Sequence, residues 1–379
     1  LNDRQRTACK RHAGTARFAY NWGLRRKIEA YQASGQSPSA IDLHRELNAL
    51  KKTELAWMYE VSKCAPQEAL RDLDKAFDNF FRRVELKKQG KLKGKVGFPR
   101  FRSCQHGLGS FRLTGSIHVF EDSIQLPRLG RLRLKEQSYL PTSGVTILSA
   151  TVSEKAGRWF VSLQVEEEIA DPPPAQGEPV GVDLGIEALA TCSDGREFEN
   201  PNALRKAQRK LKRLQRELAR RQKGGKNREK TRQKIARLHY RTGNIRKDAL
   251  HQATSSIVEA KPKPSAIVLE DLNVAGMLQN RHLALAISDV GLYEFRRQVL
   301  YKAAWNGVQV LIAPRFFPSS KLCHVCGCIN DDLTLADREW QCVCGAYHDR
   351  DRNAAINLSL LATVSSTGSY ACGDERLQA

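Results

Sequence analysis

Five of the ten cysteines fall within residues 323–344, in CHVCGC and QCVCG, and this cluster restricts the fold more than any other feature of the chain. Two closely spaced thiol pairs, Cys323/Cys326 and Cys342/Cys344, are separated by 15 residues, and four thiolates so arranged predict one closed tetrahedral Zn²⁺ site. The second pair is C-x-C, one residue shorter than usual, so Cys328, His324 and His348 stand as alternative members of the ligand set. A filled four-thiolate site contributes about 10–16 kcal/mol to folding in small peptides, enough to hold a loop with little core of its own. A secreted disulfide framework would spread its cysteines through a smaller chain. Clustering instead predicts a reducing, cytoplasmic setting.

Charge supplies the second constraint. The 379 residues carry a formal net charge of +21, and residues 203–247 hold most of it, with 19 Lys and Arg against 2 Glu, a net +17. Leu204, Ala207, Leu211, Leu214 and Leu218 draw a narrow apolar stripe along a cationic helix, and GGKN at 224–227 marks the turn of a helical hairpin. Such a density of like charge repels itself unless a polyanion neutralises it, which predicts a nucleic-acid backbone as partner. Candidate contacts are Arg209, Lys210, Lys212, Arg213, Arg216 and Arg220, with Arg350 further on. A membrane fits less well: apolar runs such as 308–313 fall far short of the roughly 18 residues that span a bilayer. The first 30 residues carry dispersed charge and no apolar core, so no signal peptide is expected. Leu1 in place of an initiating Met predicts a trimmed or incomplete N-terminus.

Along the chain, residues 5–85 read as mostly helical, with Leu70, Leu73, Phe77, Phe80 and Val84 on one face. VTILSATVSEKAGRWFVSLQVEEE alternates as a hairpin turning at 155–157, with Trp159, Val161, Leu163 and Val165 sharing a face. DPPPAQGEP is a linker. Beyond it strands and helices alternate, predicting an α/β domain: EPVGVDLG, PSAIVLEDLNV and VQVLIAP as strands, a helix over 290–306 stopped by Gly307, and a short helix over 354–361. The Ser/Thr/Gly-rich residues 363–379 predict a disordered tail.

Three acids leave this last domain at separate places: Asp183 in GVDLG, Glu270 in IVLED and Asp351 in HDRDRN. Singly, each is an ordinary cap or solvated residue, and GVDLG alone equally suits the phosphate strand of an actin-like ATPase. Together they suggest convergence, since two buried strands and a helix start can bring three carboxylates to one point. Two carboxylates about 4 Å apart repel by roughly 4 kcal/mol at an effective dielectric near 20, so such a group calls for a cation. Hard oxygen donors select Mg²⁺, with Mn²⁺ as substitute. Two such ions beside a +17 segment predict metal-assisted cleavage of a phosphodiester.

With GVDLG, IVLEDLNV, SSKLCHVCG and CVCGAYHDRDRNAAINL, and with AYNW and GFPRF upstream, nearly the whole chain resembles the TnpB family of bacterial insertion sequences, RNA-guided DNA endonucleases related to type V CRISPR effectors. The resemblance implies a multidomain α+β chain. Residues 1–90 would be a helical recognition lobe, 91–171 a small β-barrel (wedge) domain and 172–178 a linker. Residues 179–362 would be an RNase H-like α/β RuvC nuclease domain carrying the basic hairpin and a zinc-ribbon insert over 321–348. Family members have one more wedge strand before the equivalent of residue 1. Asp183, Glu270 and Asp351 would bind two Mg²⁺, Asp349 would be a neighbour, and the four cysteines would hold one structural Zn²⁺. The implied partners are a guide RNA and target double-stranded DNA beside a short motif, with no membrane and no obligatory protein partner. Both strands would be cut at one site, in the bacterial cytoplasm on the nucleoid. A guided DNA-binding repressor without cleavage and a zinc-ribbon RNA-binding protein are the competing readings.

Overall fold

The structure, a computed structural model, describes residues 1–92, 94–104, 107–334 and 336–367, the last four by their backbone alone. The chain forms two compact units, Leu1–Ile169 and Ala170–Ala379.

The first unit begins with α1 (Asp3–Ser34), α2 (Ala40–Leu50) and, after a single 3-10 turn, α3 (Cys64–Lys88). Asn2 and Gln5 form a reciprocal capping box that fixes the start of α1, and Gly35 ends it in the left-handed conformation. Small residues Ala13, Ala16, Ala19 and Gly23 let α3 come close. A Cβ on Gly23 would stand 2.6 Å from Leu70 Cδ2. The strands β1 (Ser110–Leu113), β2 (His118–Val119), β3 (Ser123–Leu126), β4 (Gly130–Arg133), β5 (Thr146–Lys155) and β6 (Arg158–Glu166) follow. They pair as two three-stranded antiparallel sheets, β1-β5-β6 and β2-β3-β4, and no pairing among the described residues closes them into the expected barrel. Ala156 and Gly157 both have positive φ, 54° and 82°, the tight hairpin turn that suits strand twist. Trp159, Val161 and Leu163 pack against the core, whereas Val165 near the strand's end is exposed.

The second unit is built on a five-stranded sheet. Its strands are β7 (Val180–Asp183), β8 (Ala188–Cys192), β9 (Glu197–Glu199), β10 (Ala266–Leu269) and β11 (Gln309–Ile312), in the order β11-β10-β7-β8-β9. The strands β11, β10 and β7 run parallel, while β8 and β9 return antiparallel. β10 is buried on both sides, as expected for a parallel strand covered by helices. Ile267 and Leu269 enter one core with Ile257, Phe295 and Val299, and Val268 faces the other way onto Leu358 and Leu361.

The helices are α4 (Ala203–Arg220), α5 (Lys226–Val258), α6 (Val274–Met277), α7 (Ala284–Val290), α8 (Leu292–Asn306) and α9 (Arg350–Thr367). The predicted hairpin is α4 and α5, but α5 runs eleven residues beyond 247. There its sequence turns apolar, and Leu250, Ala253 and Ile257 plug into the core. α8 ends where expected, at Gly307 with φ +70°. α9 starts four residues earlier than expected, because the Asp349 carboxylate accepts the Arg352 backbone N–H at 2.8 Å and caps the first turn. It also continues through Thr367, into the predicted tail, and residues 368–379 lie outside the described residues. The insert between β11 and α9 folds around the hairpin β12 (Glu339–Gln341) and β13 (Tyr347–Asp349), with Cys323, Leu333, Trp340 and Cys342 as its own small core.

Candidate metal centres

Register places the first two acids. β10 pairs with β7 so that Leu269 faces Val182, which sets Glu270 beside Asp183 at the C-terminal ends of two parallel strands. The third arrives on α9, which lies directly over β7. A Cβ on Gly181 would stand 2.0 Å from the Ala355 carbonyl oxygen, so only glycine permits the approach that carries Asp351 to the strand end. The two aspartates of HDRD divide their work: Asp349 caps the helix, and Asp351 sits in its first turn.

The carboxylates of Glu270 and Asp351 lie near enough to Asp183 for their charges to act on it. Burial, then the charges of Glu270 and Asp351, push the Asp183 carboxyl well above the usual carboxylate range, with Arg350 pulling the other way. Each of the other acids leans on a local partner. Glu270 Oε1 accepts the Ser319 hydroxyl at 2.6 Å. Asp351 receives Arg350 Nε and Nη2 at 3.1 Å and Arg338 Nη1 at 3.4 Å, and Arg338 also reaches Glu187 at 3.0 Å. Among the described residues only the cysteines form a group of three or more ligand atoms within 4.8 Å of each other. The acids nonetheless fit a hard divalent cation. They are an all-oxygen donor set in which half-buried Asp183 resists ionising beside its neighbours, a conflict that a cation relieves.

The sulfurs of Cys323, Cys326, Cys342 and Cys344 all lie within 4.8 Å of one another, with Cys326–Cys342 at 3.5 Å and Cys323–Cys344 at 3.8 Å. Four thiolates about 2.3 Å from a tetrahedral Zn²⁺ would stand about 3.8 Å apart, so the shortened C-x-C pair still meets the geometry. The backbone N–H of Ala346, followed by Cys326, lowers the Cys344 thiol to about 7, toward the thiolate that metal requires. The alternative ligands are otherwise engaged. His348 Nε2 lies 3.1 Å from Cys323 Sγ, and His324 Nδ1 lies 2.9 Å from Asn353 Oδ1. Cys328 is exposed, outside the cluster.

The six α4 cations Arg209, Lys210, Lys212, Arg213, Arg216 and Arg220 are all solvent-exposed, as a binding surface needs. Arg350 stands apart from them: its guanidinium is spent on Asp351 and on the Asp337 carbonyl at 3.1 Å. Sequence reasoning missed several residues. Asn353 and Asn357, buried one turn apart on α9, donate to the Leu322 carbonyl at 2.7 and 2.6 Å, and Asn357 donates to the Ser319 carbonyl at 2.8 Å. They tie the loop that presents Ser319 to the helix that presents Asp351. Two amides at helical spacing on a buried face were the available signal. Buried Asp289 caps α4 from a distance, accepting the Leu204 and Arg205 backbone N–H groups at 2.9 and 3.2 Å. No local pattern announces that contact, nor that of Arg338.

Family models match along the chain. One described as "Probable transposase" (OrfB, IS605 type) covers residues 160–281, "Cas12f1-like, TNB domain" covers 293–358, and "Helix-turn-helix domain" covers 1–36, a stretch that here is the single helix α1. A Streptomyces pristinaespiralis protein named "Putative RNA-guided DNA endonuclease" is 38% identical over 376 residues, spanning 98% of this chain and 89% of its own. Another of that name, InsQ of Escherichia coli K12, is 33% identical over 98% of this chain and 91% of its own. The fold matches a solved structure described as "Cryo-EM structure of the Cas12f1-sgRNA-target DNA complex" with a TM-score of 0.55, covering 92% of this chain and 81% of that one at 14% identity. With a five-stranded sheet, a cysteine knuckle and relatives of this similarity along nearly its full length, the chain belongs to the TnpB family of insertion-sequence RNA-guided endonucleases.

Proposed function

We propose that the chain pairs a transposon-derived guide RNA with target DNA beside a short motif and hydrolyses both strands at one centre, formed by Asp183, Glu270 and Asp351. The observation that supports this reading is the register that sets Glu270 beside Asp183 at the ends of two parallel strands, with α9 packed on Gly181 and carrying Asp351 in its first turn. Divalent ions, Mg²⁺ or Mn²⁺, supply charge compensation at the attacking and leaving oxygens of a phosphodiester when bound to such acids. The protein's own groups do the positioning. Ser319 holds the Glu270 carboxylate, Asp349 fixes the helix that presents Asp351, and the helix N-terminus favours the negative charge there. The α4–α5 hairpin supplies the positive field for a polyanion. Residues 1–90 would serve as recognition lobe, 91–171 as wedge and 179–362 as nuclease domain, with Cys323, Cys326, Cys342 and Cys344 holding one structural Zn²⁺.

The test is to incubate the protein and its copurifying RNA with a matching plasmid, with and without Mg²⁺. The expected result is Mg²⁺-dependent double-strand breaks, lost in Asp183→Ala with RNA still bound. Target binding without cleavage in the unmodified protein would make it a guided repressor. RNA binding without target binding would make it an RNA-binding protein.

A further inference from the structure

Within the first unit, the C-terminal half of α3 and the segment that follows it gather four phenylalanines. Phe98 stands edge-on to Phe77 and Phe80, with ring centroids 5.4 and 5.3 Å away at 88° and 79°, and Phe80 meets Phe81 at 5.2 Å. Phe77 packs on the core of the first unit and anchors the group, yet Phe81 is 61% and Phe98 47% exposed. Beside them lies an open cleft of about 630 Å³ lined by Phe80, Val84, Lys87, Lys88, Lys95 and Val96. Residues 82–100 hold eight Lys and Arg against one Glu.

Exposed aromatic rings among lysines suit a partner that is itself flat, apolar and negatively charged. An apolar peptide would have to strip water from the lysine heads without compensating them. Unpaired nucleotides match both features, offering base faces to the rings and phosphates to the ammonium groups. A duplex keeps its bases stacked within itself. Among the described residues the cleft lining offers a ribose 2′-hydroxyl no side-chain acceptor, only the lysine donors that serve the phosphates, so nothing in it selects for RNA. We propose that this cleft binds an unpaired DNA strand, its bases on Phe81 and Phe98 and its phosphates on Lys87, Lys88 and Lys95. The proposal does not depend on the nuclease reading.

The full chain, without Mg²⁺, is photocrosslinked to a single-stranded DNA oligonucleotide carrying 5-iodouracil, and adducts are mapped by mass spectrometry. Adducts at Phe81 or Phe98 are expected. Phe81→Ala with Phe98→Ala should weaken single-stranded DNA binding by about 30-fold or more, leaving a duplex of the same sequence within about twofold. Lys87→Gln with Lys88→Gln should lower the salt slope by about 0.7 per lost phosphate contact. Adducts confined to 203–247, preferential crosslinking of RNA of the same sequence, or equal loss of single- and double-stranded binding would each overturn the assignment. Crosslinking in the unmodified chain decides even where a variant fails to fold.

Discussion

Gly181 offers a direct test of how the acid centre is assembled. It lies in β7 two residues before Asp183, and a Cβ there would stand 2.0 Å from the Ala355 carbonyl oxygen, 2.5 Å from the Ser359 amide nitrogen and 2.9 Å from Leu358 Cβ. Real Cβ contacts essentially never fall below 3.0 Å, and two of these opponents are helix backbone, so α9 must withdraw by at least 1 Å in Gly181→Ala. Overpacking of this kind costs about 1–3 kcal/mol, and a rigid backbone opponent argues for the upper end. For a unit of this size about 3 kcal/mol lowers Tm by roughly 6–12 °C. The same withdrawal carries Asp351, one turn from Ala355, away from Asp183, and a displacement near 1 Å costs about 100-fold in rate. Single-turnover cleavage by the preassembled complex, measured well below the variant's Tm, separates this loss from unfolding. Gly14→Ala in α1 is the control. Nothing lies within 4 Å of its added methyl, so stability should rise by about 0.5–1 kcal/mol with cleavage unchanged. A Gly181→Ala protein with parental Tm and parental rate would refute the claim that α9 seats Asp351.

Three further perturbations follow from the same geometry. Cys326→Ser should lower zinc content below one per chain and increase hydrogen exchange across the insert, and an unchanged zinc content would move that ligand elsewhere. Because the folded carboxyl of Asp183 is raised, the native chain keeps a proton that the unfolded chain has lost. Stability in Mg²⁺-free buffer should therefore fall as pH rises from the ordinary carboxylate range through that raised value, and Asp183→Asn should remove the fall; identical pH profiles of the two proteins would contradict the influence of Glu270 and Asp351 on Asp183. RNA affinity should drop by about 0.7–0.9 log units per log unit of salt for each neutralised phosphate, and replacing Arg209, Arg213 and Arg216 by Gln should flatten that slope by two to three phosphates' worth, with an unchanged slope counting against α4 as the surface.

What the sequence revealed and what it hid have physical reasons. Asp183 and Glu270 follow short β-branched runs ending in an acid, a local signature of parallel strands, and the cysteine spacing is equally local. The reach of α5 past residue 247 was hidden because charge dominates its first half, although the apolar Leu250, Ala253 and Ile257 mark where it becomes core. The start of α9 turned on one side-chain cap, Asp349, beside an acid of another role, and composition cannot tell the two aspartates apart. Contacts such as Ser319 with Glu270, or Asp289 with Leu204, join residues 49 and 85 positions apart and leave no periodic trace.

The paired asparagines on α9 also say something about how such a chain can change over time. Asn353 and Asn357 grip the Leu322 carbonyl, and Asn357 the Ser319 carbonyl, so the polypeptide is pinned on departure to the very helix by which it comes back. Everything between those pins is an excursion whose two feet share one footing. Apart from Asp337, Arg338 and Asp349, which reach back to the start of α9, residues within it can be gained, lost or exchanged without disturbing that shared footing.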